Sequence, residues 1–253
     1  VRFGKNGSDV LSASVRLARY ITSKDEIACC GYHGYQDWSI ANSSRNGGIP
    51  NSIKKICQRF TFNDIDSLNK LIKNNDLSCV VMDCVARYYP KPGFLEDVRD
   101  LTQKNNIILI FDEVITGFRL APGGAQEFFG VTPDLSCFGK AIANGMPLAA
   151  LVGRAELMER NSELFYSLTA AGEALSLAAC NEALKKYNQP EFSKNLNDKG
   201  KMLVNKLTLS IKEVGLSKII SIQGMNSRPI IYTNHSNAGK AVTKMAIKMA
   251  QRG

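Results

Sequence analysis

Five short stretches of this chain carry residue types whose spacing could do chemistry. The stretch Gly4-Lys5-Asn6-Gly7-Ser8-Asp9 opens a helix-period segment containing Val15, Leu17, Ala18 and Tyr20. A Gly7-Ser8 turn at a helix N-terminus presents unpaired backbone N–H groups and the positive end of the helix dipole, a site suited to a phosphate. Ser8 or Asp9 could equally serve as a plain N-cap. Asp112 closes the apolar run 107–111, at the strand end where open α/β sheets bind ligands. Its carboxylate could hold a proton-bearing ring nitrogen, with Val114 against one face of that ring. It could also cap its own turn or pair with Arg119. Lys140 stands in Cys137-Phe138-Gly139-Lys140-Ala141, among small and apolar residues. Partial desolvation there would lower its pKa and make its amine nucleophilic. Tyr32, in the turn Gly31-Tyr32-His33-Gly34, could stack on a planar ring or simply pack. Thr169, just ahead of a long helical segment, could offer its hydroxyl to a phosphate or mark the start of the helix.

These residues need elements to position them, and the pattern supplies a set. Apolar runs alternate with helix-period segments, as in a mostly parallel α/β sheet. Strands are expected at 27–31, 78–83, 106–112, 136–139 and 148–152, and helices at 64–73, 95–104 and 173–187. Val1 to Gly4 reads as the middle of a strand, so a missing N-terminal portion is expected. Pro190 marks a break. A helix over 193–214, strands at 219–222 and 229–233 and a helix from 237 onward form the start of a second, smaller α+β domain. The expected division is 1–188 and 189–253.

The bulk numbers exclude several classes. With 253 residues, 44% hydrophobic and 22% charged, the chain is an ordinary globular one. No apolar run approaches the roughly 20 residues of a membrane span. Seven cysteines without CxxC spacing and only two histidines, His33 and His235, argue against a zinc site and against a disulfide framework. Reduced, buried cysteines suit a cytoplasmic protein. The net charge of +9 is spread over scattered lysines rather than gathered in runs, so solvated helix faces are expected, not nucleic-acid binding.

Taken in order, these motifs resemble a known family. The series Asn6-Gly7-Ser8-Asp9, Tyr32-His33-Gly34, 111–119 and Phe138-Gly139-Lys140 is similar to class III aminotransferases of pyridoxal-phosphate (PLP) fold type I, which include glutamate-1-semialdehyde aminomutase. The stretches 124–126, 132–135 and 144–147 extend the likeness, which is dense to about residue 180 and fades after Pro190. The resemblance implies a fold type I large domain, pyridoxal 5'-phosphate as cofactor, and exchange of an amino group between a small-molecule amino donor and a carbonyl acceptor. It implies that Gly7 and Ser8 hold the cofactor phosphate. Tyr32 and Val114 would cover the two ring faces, Asp112 would pair with the ring nitrogen, and Lys140 would form the Schiff base and shuttle the proton. Thr169 would reach the phosphate of a neighbouring subunit, which implies a homodimer.

Within the family, residues 32–38 and the segment after Lys140 are similar to aminotransferases of bacterial surface-sugar pathways. Ala141-Ile142-Ala143-Asn144 replaces the glycine-rich run of aminomutases, which ranks intermolecular amino transfer above the aminomutase reaction. Two departures stand out. Asp83-Cys84 replaces a Glu-Pro pair, and Ala170-Ala171 follows Thr169 where an aromatic residue and glycines are usual. An alanine forced to positive φ would be strained. These departures, with the missing ends, motivate a rival reading as a non-catalytic homologue. Arg228 is a candidate for a substrate carboxylate.

Overall fold

The computed structural model describes residues 1–234 and 236–252; His235, one of the two histidines, lies outside them. In chain order, β1 (Arg2–Gly4) leads into α1 (Gly7–Thr22) and β2 (Glu26–Cys30). Short helices α2 (Asp37–Ile40) and α3 (Asn51–Ile56) precede β3 (Cys57–Arg59). Then α4 (Ile65–Asn74), β4 (Leu77–Asp83), α5 (Phe94–Lys104) and β5 (Ile108–Asp112) alternate. They are followed by α6 (Ala125–Phe129), β6 (Leu135–Phe138), β7 (Ala149–Gly153), α7 (Ala155–Glu159) and α8 (Ala174–Tyr187). The chain continues through α9 (Phe192–Glu213), the hairpin β8 (Ile220–Met225) and β9 (Arg228–Thr233), and α10 (Ala238–Ala250).

Seven strands form one sheet in the order β1-β7-β6-β5-β4-β2-β3. Pairs from β3 across to β6 are parallel, while β7 is antiparallel to both β6 and β1. Strands β4 and β5 are apolar on both faces because both faces are covered. One layer packs α1 on Cys29, Val81, Ile110 and Cys137. The opposite layer sets Leu68, Leu95 and Val98 of α4 and α5 on Val80, Met82, Leu109 and Phe111. This is the mostly parallel α/β arrangement expected from the alternation.

The expected long elements are present within a few residues of their expected ends. The elements without an expectation, α2, α3, β3, α6 and α7, run three to six residues, too short to show a period. Compactness divides the chain into one unit of residues 1–86 and 90–193 and another of 87–89 and 194–253. In the second unit, α9 approaches the β8–β9 turn so closely that a Cβ on Gly200 would lie 2.1 Å from the Asn226 carbonyl. The Arg87 guanidinium lies 3.8 Å over the Tyr232 ring, and Arg228 opens β9. Among the described residues, no helix is long and apolar enough to cross a membrane.

Candidate active site

The parallel strands β2, β4 and β5 end side by side, and their last residues and following turns build one pocket. Asp83 and Asp112 are direct register partners at the ends of β4 and β5. After β2 the chain turns through Gly31 at φ +120° and Gly34 at φ +102°, conformations that favour glycine. That turn folds His33 inward until its ring is 1% exposed. His33 Nδ1 lies 2.8 Å from Asp112 Oδ2, and Nε2 lies 3.2 Å from the Cys30 carbonyl. A carbonyl only accepts, so Nε2 carries a hydrogen, while Nδ1 faces the Asp112 carboxyl group. Burial alone would push the His33 pKa down, but the hydrogen bond and charge of Asp112, then the charge of Asp83, raise it. His33 and Asp112 thus form a buried hydrogen-bonded pair, with Trp38 stacked 6.2 Å from the His33 ring.

Asp112 also accepts the Val114 N–H at 3.0 Å through Oδ1. Turn-capping and an acid facing the pocket are therefore one arrangement, not rivals. The partner seen on its other oxygen is His33 rather than Arg119. Glu113 points the other way, into the protein, and accepts the N–H groups of Ala125 and Gln126 at 3.0 and 2.8 Å and the Thr116 hydroxyl. It joins the β5 turn to the start of α6.

Val114 packs between two glycines. A Cβ on Gly7 would come within 2.9 Å of Val114 Cγ2, and one on Gly139 within 3.2 Å of Cγ1. The N-cap of α1 is Asn6, which accepts the Asp9 N–H while Asp9 accepts back. This corrects the expectation that Ser8 or Asp9 caps the helix: Ser8 sits inside the first turn, against Gly34.

Lys140 follows β6 with φ +45°, in the left-handed region that strains a side-chain-bearing residue. It opens a short 3-10 turn, Lys140–Ala143, fastened by the Tyr187 hydroxyl donating to the Ala141 carbonyl at 2.6 Å. Lys140 is exposed at the pocket, against the expectation of a partly desolvated amine. The neighbours Ile142 and Ala143 take the burial instead.

The pocket has a volume of about 250 Å³, and Gly7, Ser8, Tyr32, Asp112, Val114 and Lys140 all line it. Tyr32 is 69% exposed at its edge. Thr169 is not in the lining; it is exposed, in the segment before α8. The N-cap of α8 is Glu173, which also pairs with Lys5 at 2.9 Å. Neither Ala170 nor Ala171 has positive φ, so the expected strain there is absent. His33 and Asp83 also line the pocket without having been assigned a role from sequence. The available signal was the pair of glycines around His33 and the strand-end position of Asp83, the same position that marked Asp112.

The comparisons agree with this geometry. The sequence profile of the family described as Aminotransferase class-III matches residues 1–226. A glutamate-1-semialdehyde 2,1-aminomutase of Methanobrevibacter smithii is 38% identical over 252 residues, covering 92% of this chain and 59% of that protein. A 3-aminobutyryl-CoA aminotransferase of Cloacimonas acidaminovorans is 44% identical over 163 residues, covering 61% of this chain and 39% of that protein. Among solved structures, the PLP internal aldimine form of FumI from Sphingopyxis sp. MTA144 superposes with a TM-score of 0.85 at 27% identity, over 92% of this chain and 57% of that one. An omega-transaminase of Sphaerobacter thermophilus gives 0.82 at 28%, over 93% of this chain and 59% of that one. The fold is that of fold type I transaminases, and the chain spans about 60% or less of the length of these relatives.

Proposed function

The chain belongs to the class-III aminotransferase family, and we propose that it is an aminotransferase using pyridoxal 5'-phosphate to move an amino group from a small-molecule donor to a carbonyl acceptor. One observation carries this reading: a single pocket gathers Lys140, Asp112, Val114, Tyr32 and the Gly7-Ser8 turn from separate parts of the chain. The residues fit the cofactor. The first turn of α1 offers N–H groups that the helix itself leaves unpaired. Glycines 7 and 139 leave Val114 as the floor of the pocket, since a Cβ on either would press on it. A buried, hydrogen-bonded carboxylate ends β5.

Bound PLP supplies an aldehyde that condenses with amines and a ring that draws in the electron pair of a carbanion. Lys140 Nζ would hold the cofactor aldehyde, and its free amine would be the base that takes and returns the proton on the donor's amine-bearing carbon. Asp112 would accept a hydrogen bond from the protonated ring nitrogen. Gly7 and Ser8 would hold the phosphate through backbone N–H groups and the Ser8 hydroxyl, with Tyr32 and Val114 set to cover the ring. Thr169 serves the phosphate of a second subunit, so the active form is a homodimer; its position outside the pocket of its own chain is compatible with that role. Residues 1–188 form the cofactor-binding large domain and 189–253 belong to a smaller α+β domain. Free thiols at all seven cysteines support a cytoplasmic location.

The test is to incubate the purified chain with PLP, reduce with borohydride and map the modified peptide. A pyridoxyl adduct on Lys140, absent from Lys140→Ala, is the expected result; an adduct elsewhere, or none, sinks the reading. The aminomutase reading draws on the relatives of that name at 34–38% identity. Conversion of glutamate-1-semialdehyde without any added acceptor would replace our reading with that one. Cofactor attachment without turnover of any amino donor would favour the non-catalytic homologue.

A further inference from the structure

Asp83 stands where the family resemblance leads one to expect a glutamate, and its surroundings assign it work of its own. Its Oδ2 accepts the Tyr32 N–H at 3.4 Å. The same oxygen lies 2.1 Å from where a Cβ on Gly31 would be, so the turn at Gly31 closes directly on this carboxylate. On the other side of that turn, the Arg59 guanidinium donates to the Gly31 carbonyl at 2.9 Å. One atom each of His33, Asp83 and Asp112 lie within 4.8 Å of one another. The His33 ring therefore sits beside two carboxyl groups and hydrogen-bonds to one of them, Asp112.

We propose that Asp83 is a positioning residue for cofactor binding: one carboxylate fixes the backbone that carries Tyr32 and supplies the second negative charge that keeps His33 an imidazolium against Asp112. The inference rests on the proposed aminotransferase reading only in what the pocket holds; the charge arrangement belongs to the protein alone. With His33 doubly protonated, both of its N–H groups are committed, one to Asp112 and one to Cys30. Asp112 is then held in a single orientation by His33 and the Val114 N–H. Remove the Asp83 charge, and His33 loses its proton more readily. A neutral ring can donate only once, so either Asp112 or the Cys30 carbonyl loses its partner.

The other groups facing His33 do not substitute for this charge. The Cys30 thiol at the end of β2 is pushed up to about 12, chiefly by burial, and stays neutral. From α2, Trp38 contributes a stacked ring, and the Ser39 hydroxyl accepts the backbone N–H of His33, not a ring N–H, at 3.3 Å. The Cys30 carbonyl also favours a protonated ring through its hydrogen bond, but the two charges that pull in the required direction are those of Asp112 and Asp83.

The chain has two histidines, so nitrogen-15 NMR of the cofactor-free protein resolves His33 once Asp83 variants and His33→Gln assign it. In the unmodified chain at neutral pH, both His33 nitrogens are expected in the protonated range. Asp83→Asn, similar in shape but uncharged, should lower the His33 titration midpoint by about one pH unit or more. Asp83→Glu keeps the charge and should hold the midpoint close to that of the unmodified chain. The PLP dissociation constant should rise about tenfold in Asp83→Asn, the scale of losing a hydrogen bond to a charged group. A neutral His33 ring in the unmodified chain overturns the proposal even if Asp83→Asn does not fold. So does an unchanged midpoint in a folded Asp83→Asn. The NMR readouts need no cofactor, so their failure is distinct from failure to find the Lys140 adduct.

Discussion

Asp112 has two partners inside the protein before any ligand arrives, and each fixes one of its oxygens. Asp112→Asn keeps an oxygen for the Val114 N–H but presents no carboxylate to His33 or to a ring nitrogen. Cofactor attachment at Lys140 should survive in that variant, while amino transfer falls by roughly a hundredfold or more, as for loss of a positioned proton partner. Single-turnover absorbance changes on adding an amino donor would check this, and transfer within threefold of the unmodified rate would refute it. Asp112 was legible in the sequence because a carboxylate closing an apolar run has few other places to be. The role of His33 was not. Its partner is 79 residues away, and only the order β2, β4, β5 across the sheet brings them together. Lys140 stood out in the sequence for its small and apolar neighbours, whereas in the structure the residue is exposed and its distinctive feature is its backbone.

Between elements, the close fit of Val114 to two glycines links α1, the β5 turn and the end of β6. Gly7→Ala should destabilise the chain by about 1–3 kcal/mol, the usual cost of overpacking. Trimming the obstruction in the double variant Gly7→Ala/Val114→Ala should recover part of that loss in thermal unfolding. If the second change adds to the damage instead, the clash is not the cause. At the other end of the sheet, Asp134 ties α5, β5 and β7 together. It accepts from Arg99 at 2.9 Å, from the Leu109 N–H at 2.8 Å and from Arg154 at 3.0 Å. Burial would raise its pKa, but these three donors outweigh burial and hold it below the usual carboxylate value. A carboxyl depressed in the folded state contributes stability above its unfolded pKa of about 3.9, and that contribution fades as pH falls through the lower folded value. Asp134→Asn should therefore cost about 2 kcal/mol near neutral pH and progressively less in acid, measured by denaturant unfolding from pH 7 to pH 3. A cost that does not vary with pH would contradict the argument. Nothing in the local sequence announces this hub, because its partners come from three separate segments.

At the scale of the whole molecule, the alternation of strands and helices was enough to expect a mostly parallel sheet. The antiparallel edge was not legible: β1 pairs with β7, and the register partners Phe3 and Ala150 are far apart in the sequence. Short elements such as α2 and β3 escaped for want of a period, yet α2 supplies Trp38 and Ser39 to the back of the site. A ligand that binds only the folded chain stabilises it by mass action, by about 2.7 kcal/mol at a hundredfold excess over its dissociation constant. PLP should therefore raise the melting temperature in a concentration-dependent way, and less so in Lys140→Ala. A melting curve indifferent to PLP would mean that the pocket does not hold it in this chain.

The left-handed backbone at residue 140 has a consequence for how such a gene would drift. Glycine or asparagine would sit there with less strain than lysine. Once such an amine is no longer needed, selection for stability alone favours its replacement, so position 140 is one where loss of the proposed chemistry would show early in the sequence.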